Sequence, residues 1–139
     1  MILKRVFIIA VLILFCSCPL YANQNKEREA IKAAGSWLSL VDAENFTKSW
    51  ENTSLYFKRS VTEPQWVKLL NSIRKPLGIT LSRKLISQQY TTSLPGAPDG
   101  EYVVLQYETS FKNKTSSIET ITPLLEKDGV WRVSGYLIK

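Results

Sequence analysis

Histidine is absent from the 139-residue chain. That excludes every Ser-His and Cys-His catalytic arrangement. Cysteine is nearly absent. Cys16 and Cys18 are the two in the chain, and both lie in its N-terminal apolar segment. The rest of the chain has no thiol and therefore no internal disulfide. Metal sites built on His or Cys are excluded with them, and no metal or other cofactor is expected. There is no glycine-rich phosphate loop and no internal repeat. Nor is there a Lys/Arg block of the kind that marks a nucleic-acid-binding tail, so no nucleic-acid partner is expected.

What is present begins with a leader pattern. Lys4 and Arg5 precede an apolar run from Val6 to Phe15, and Leu20-Tyr21-Ala22 leads into the polar Asn23-Gln24-Asn25. A basic start, a short apolar stretch and a small residue at the cut describe a secretory signal peptide. The run is shorter than the roughly 20 residues that a membrane span needs. The expectation is a signal peptide over 1–22 and a single exported domain over 23–139, periplasmic or extracellular. Phe15-Cys16-Ser17-Cys18 also loosely resembles a lipoprotein signal. In that alternative Cys18 carries lipid and the protein is membrane-anchored. Loss of Lys4 and Arg5 with the leader takes the net charge from +6 to +4. A modest basic excess suits a solvated surface, or weak attraction to anionic partners.

The first half of the domain has helical periodicity. Ala30, Ile31, Ala34, Trp37, Leu38 and Val41 fall on one stripe of a helix over Lys26 to Val41. Gly35 costs about 1 kcal/mol there relative to alanine and suggests a close approach by another element. Asp42 ends this helix or caps the next. A second helix runs over about Ala43 to Asn52 with Phe46 and Trp50 four apart. After a polar break, Leu55 to Lys58 continues as helix or turn. Thr62, Glu63 and Pro64 mark the start of a third helix. Trp66, Leu69, Leu70 and Ile73 share one of its faces, and Pro76 and Gly78 stop it.

The second half reads as strands. Ile79 to about Thr92 is a half-exposed strand, followed by a Pro/Gly loop over Leu94 to Gly100. Glu101 to Phe111 alternates, with Val103, Leu105, Tyr107 and Phe111 on one face and Tyr102, Val104, Gln106 and Glu108 on the other. Lys112 to Thr115 is a polar turn. Asp128-Gly129 marks a hairpin, and a two-residue turn there pairs Lys127 with Val130. That register puts Ile118, Leu124, Trp131, Val133 and Leu137 on one face. Ile121, Leu125, Tyr136 and Ile138 share the other with Glu119 and Arg132. Pro123 favours an edge or a bulge. The fold class expected is α+β: N-terminal helices on one face of a curved antiparallel sheet, with a cone-shaped space between them.

Several motifs occur in order: Trp37-Leu38, Asn45-Phe46-Thr47-Lys48-Ser49-Trp50, Arg74-Lys75-Pro76-Leu77-Gly78, Ser82-Arg83, Leu94 to Tyr102, Ser117-Ile118-Glu119-Thr120, and Asp128 to Tyr136. Together they resemble the bacterial family filed as domain of unknown function 4019. The resemblance implies export from a bacterial cell and a cone-shaped fold like that of nuclear transport factor 2. It implies no activity and transfers no catalytic residue.

Candidate binding residues are Trp50, Arg74, Arg83, Glu119 and Tyr136. Trp37, Trp66 and Trp131 sit at core spacing, as large aromatics do. Arg74 and Arg83 flank the Pro-Leu-Gly turn, where guanidinium forks can clamp an anion or pair with an acid such as Glu119 or Asp99. Glu119 is a candidate general base in the cone, or a satisfied acid on the strand surface. Asn45, Asn52 and Asn113 head N-x-Ser/Thr triplets and are read as unmodified. No set of residues amounts to an active site. The expected function is a non-enzymatic module of the cell envelope that binds a small ligand or a protein. The alternatives are an enzyme with an acid in the cone, or a structural envelope protein that forms a homodimer through its sheet.

Overall fold

The computed structural model describes residues 19–139. The leader pattern through Cys18, including both cysteines, lies outside the described residues. Four helices come first and four strands follow. Helix α1 spans Pro19–Asp42, α2 Phe46–Glu51, α3 Leu55–Ser60 and α4 Glu63–Ile73, and a 3-10 turn covers Lys75–Leu77. Strands β1 (Thr80–Thr91), β2 (Glu101–Phe111), β3 (Lys114–Leu125) and β4 (Trp131–Ile138) form one antiparallel meander in the order β1-β2-β3-β4. The fold is α+β with an open four-stranded sheet, as the sequence pattern predicts.

The helices follow local chemistry. On α1, Ala30, Ala34, Trp37, Leu38 and Val41 are buried against the sheet, and Ile31 packs at their margin. Gly35 lies on the exposed side and nothing approaches within 4 Å of where its Cβ would be. The close approach expected there does not occur. The second helix is shorter than expected because Glu44, with φ 56°, turns the chain before it. Ser54 caps α3 by accepting from the Phe57 N–H. Thr62 and Gln65 form a reciprocal capping box at the start of α4. Only part of the expected α4 face is inside. Trp66 and Leu70 are buried, whereas Leu69 and Ile73 are exposed. At 100° per residue, the two pairs straddle the edge of the contact.

Strand β2 has the expected bounds and alternation. Tyr102 departs from it, being buried on the outer face. It lies opposite Leu124, and its hydroxyl donates to Pro98 O at 2.7 Å, so the Pro/Gly loop covers it. The last hairpin differs in register. Leu125 pairs with Trp131, and the Glu126 N–H donates to Val130 O at 3.0 Å. The loop therefore has three residues, Lys127, Asp128 and Gly129. Gly129 alone among them has positive φ, at 79°. A two-residue type I′ turn would need positive φ at Asp128 as well. The changed register puts Trp131 and Val133 on the core face with Ile121 and Glu119, not beside Leu124 as expected. One extra residue on β4, at Ser134-Gly135 opposite Thr122, then restores Ile121↔Tyr136 pairing. Pro123 sits beside this bulge, where its missing N–H is tolerated.

The space between sheet and helices is filled by side chains. Trp37, Phe57, Trp66 and Tyr136 meet there, with ring centroids between 5.1 and 6.3 Å apart. Two indoles converge on one buried residue. Trp37 Nε1 donates to Ser49 O at 2.8 Å and Trp66 Nε1 to Ser49 Oγ at 2.9 Å. These bonds satisfy polar atoms that would otherwise be costly in an apolar interior.

Candidate functional site

At one end of this aromatic core lies a closed polar cluster. Asp42 ends α1, Arg74 follows α4, and Thr80 and Arg83 open β1. The sheet register places Arg83 beside Thr109 on β2. It places Glu119 on the adjoining strand, opposite Tyr107. Tyr136 comes from β4. Four of the five sequence candidates, Arg74, Arg83, Glu119 and Tyr136, therefore meet at one place.

Arg83 is the hub. Its Nη1 and Nη2 donate to the two carboxylate oxygens of Asp42 at 2.7 and 2.9 Å. Its Nε donates to Glu119 Oε1 at 2.8 Å. Thr109 Oγ1 donates to the same Glu119 oxygen at 2.6 Å, and the Tyr136 hydroxyl donates to Oε2 at 2.5 Å. Arg74 Nη2 donates to Asp42 Oδ1 at 3.1 Å and Nη1 to Gly78 O at 2.7 Å. Its guanidinium lies 4.5 Å from the centre of the Phe111 ring, a cation–π contact. Thr80 Oγ1 donates to Asp42 Oδ1 at 2.9 Å. Two arginines face two carboxylates, so the cluster is neutral overall.

Burial sharpens these contacts. The Glu119 side chain is 0% exposed and that of Arg83 15%. The expectation of a strand-surface Glu119 is thus corrected. Burial pushes the Asp42 carboxyl up, but bonds from Arg83, Thr80 and Arg74 outweigh it and hold the group below its usual range. Burial likewise disfavours charge on Arg83, but its bonds to Asp42 and Glu119 outweigh that and raise it above its usual value. The Tyr136 hydroxyl is raised by burial first, then by the charge of Glu119 and the bond it donates. The Arg83 partner is Glu119 together with Asp42, and Asp99 takes no part.

Trp50 stands apart from the cluster. Its Nε1 donates to Val61 O at 2.8 Å, and the Lys58 ammonium lies 5.5 Å from its ring centre. It pins α2 to the link before α4. Asp42, Thr80 and Thr109 are the members that sequence reasoning did not select. Asp42 carried a signal: an acid at the C-terminal end of a helix opposes the macrodipole, so something else must hold it. Arg74 Nε and Ser117 Oγ are buried without a partner among the described residues. No group of three His, Cys, Asp or Glu there is arranged to hold a metal ion.

The cluster can do little chemistry as it stands. A general base needs a lone pair directed at substrate, whereas Glu119 is 0% exposed and three of its roughly four acceptor positions are taken. Two depressions among the described residues lie elsewhere. One of 270 Å³ runs between α1 and β4, lined by Ala33, Ser36, Trp37 and Val130 to Val133. Another of 540 Å³ lies between α3 and the last hairpin, around Leu55, Arg59, Leu124 and Lys127.

The family model described as protein of unknown function (DUF4019) matches residues 33–136. The match covers more than half of the chain, so the chain belongs to this family. Its range takes in every residue of the polar cluster, with Tyr136 at its limit. No curated protein matches the chain.

Proposed function

We propose that this chain is an exported bacterial protein acting as a non-enzymatic binding module of the cell envelope. On this reading residues 1–22 are a signal peptide, and the fold is a filled relative of the cone of nuclear transport factor 2. The observation that carries it is the closure of the Asp42–Arg83–Glu119–Tyr136 cluster. Each group that would act as acid, base or anion clamp is bound to another, and with Arg74, Thr80 and Thr109 the cluster ties all four strands to the ends of α1 and α4. Such an interior supports a rigid scaffold and leaves recognition to the outer surface. The alternative enzyme would have to release Glu119 from Arg83, Thr109 and Tyr136 before it could take a proton. The structural alternative, a homodimer through the outer sheet face, separates from the leading reading by mass.

The test is native mass spectrometry of the protein purified from an envelope fraction. The expected result is a chain beginning at Asn23 that carries a non-covalent ligand or partner. A lipid adduct on Cys18 would replace the cleaved reading with the anchored one. A bare dimer would favour the structural reading, and recovery only as a full-length cytoplasmic species would refute export. Turnover of a substrate that is lost in Glu119→Gln, with folding intact, would overturn the non-enzymatic reading.

A further inference from the structure

The end of the molecule away from the Asp128-Gly129 turn combines exposed aliphatic side chains with lysines. It is one hydrogen-bonded surface. Asn113 in the β2–β3 turn donates its N–H to Leu77 O at 2.9 Å and its Nδ2 to Pro76 O at 3.0 Å. The Lys112 N–H donates to Ile79 O at 2.9 Å. These bonds lock the 3-10 turn and the start of β1 to the hairpin. Ile79 and Leu81 stand out from this surface, 65% and 59% exposed, and Ile73 is exposed just before the 3-10 turn. Lys75 lies in the 3-10 turn and Lys112 and Lys114 flank the β2–β3 turn bonded to it, and all three are exposed. Glu44 lies 3.7 Å from Lys75, while Lys112 and Lys114 form no ion pair among the described residues. The opposite end is of mixed sign, with Glu126 and Asp128 bound to Arg132 at the β3–β4 turn.

We infer that this tip docks on an anionic lipid surface. Protruding aliphatic side chains enter the headgroup boundary, while lysines reach lipid phosphates with their stems along the apolar layer. Lys112 and Lys114, which have no acid partner among the described residues, favour an anionic surface, and the protruding aliphatic side chains beside them suit a headgroup boundary. The contact inferred is peripheral; among the described residues no helix is long and apolar enough to cross a membrane. Rigidity helps: the hairpin and 3-10 turn present the side chains without ordering a loop first. The inference does not depend on export or on the binding-module reading, because anionic bilayer faces occur in every compartment.

The experiment is sedimentation of the purified chain with vesicles of phosphatidylcholine alone, or with about 30% phosphatidylglycerol. Binding is expected only with the anionic lipid. It should fade as salt shortens the Debye length from about 10 to about 3 Å. Each lysine near such a surface is worth about fivefold in partitioning. Lys112→Gln with Lys114→Gln should therefore lose about 25-fold. Arg59→Gln with Lys127→Gln removes the same charge from the opposite end and should lose less than about twofold. Ile79→Ser with Leu81→Ser should lose about tenfold with the salt dependence kept. All these side chains are at the surface, and circular dichroism checks each fold. No binding by the parent, equal binding to neutral vesicles, or equal loss in both charge pairs would overturn the inference. Retention of full binding by Ile79→Ser with Leu81→Ser would also overturn it, reducing the contact to a charge effect.

Discussion

Removing the Arg83 head group should test whether the polar cluster holds the fold together. In Arg83→Met the stem volume is kept and the charge is lost. Glu119, fully buried, then keeps only Thr109 and Tyr136 as donors. Asp42 keeps Arg74 and Thr80. Breaking a buried pair by removing one partner costs about 3–5 kcal/mol, because the remaining charge stays desolvated. For a domain of this size that is a fall in Tm of about 10 °C or more. Glu119→Gln keeps an acceptor but loses the charge, and should cost about 1.5–3 kcal/mol, the worth of a bond to a charged group. The double variant should be more stable than the sum of the two losses predicts, by about 1–3 kcal/mol. Urea unfolding of the four proteins measures the cycle directly. Added salt should change the coupling little, since the groups are shielded from solvent. A loss below about 1 kcal/mol in Arg83→Met, which is what an exposed pair contributes, would refute the reasoning. So would additivity of the two changes.

Ser49→Ala removes the acceptor of the Trp66 indole in a sealed interior and should cost about 1–3 kcal/mol, read by denaturant unfolding; an unchanged midpoint would mean that water reaches the indole. Trp131→Ala opens a cavity at the base of β4 and should cost about 3–5 kcal/mol, while an unchanged Tm would mean that the side chain is exposed. The cluster also sets two pH limits. Asp42 is depressed in the folded state, so its stabilisation is complete above the ordinary value of 3.8 and is lost as pH falls below it. Asp42→Asn should flatten that acid limb in a series of thermal melts. Tyr136 is raised above the ordinary 10.0, so its contribution is complete below that pH and fades above it. Tyrosinate absorbance from Tyr136, found by difference against Tyr136→Phe, should appear only with unfolding.

Local chemistry was legible where one residue type dictates one geometry. The stripe of Ala30, Ala34, Trp37, Leu38 and Val41 fixed the buried face of α1, because a period of 3.6 leaves one side to the core. Thr62 and Pro64 fixed the start of α4, and alternation fixed the two faces of β2, though not the burial of Tyr102. The same alternation, carried across the Asp128-Gly129 turn, assigned Trp131 to the wrong companions. A one-residue difference in loop length reverses every side chain, and the loop length depends on a backbone angle that several turn types share.

The sequence by itself determined the order of helices and strands, the family, and the identity of the chemically active side chains. It named Arg74, Arg83, Glu119 and Tyr136 without showing that they meet. Tertiary structure alone decided that Asp42 and Glu119 together balance the two arginines, because separation along the chain says nothing about register between strands. It also decided the role of Asp42, whose partners lie 32 and 41 residues away. Ile79 and Lys112 became neighbours in the same way. Charge and burial act through space, and a chain without its fold specifies neither distance nor dielectric.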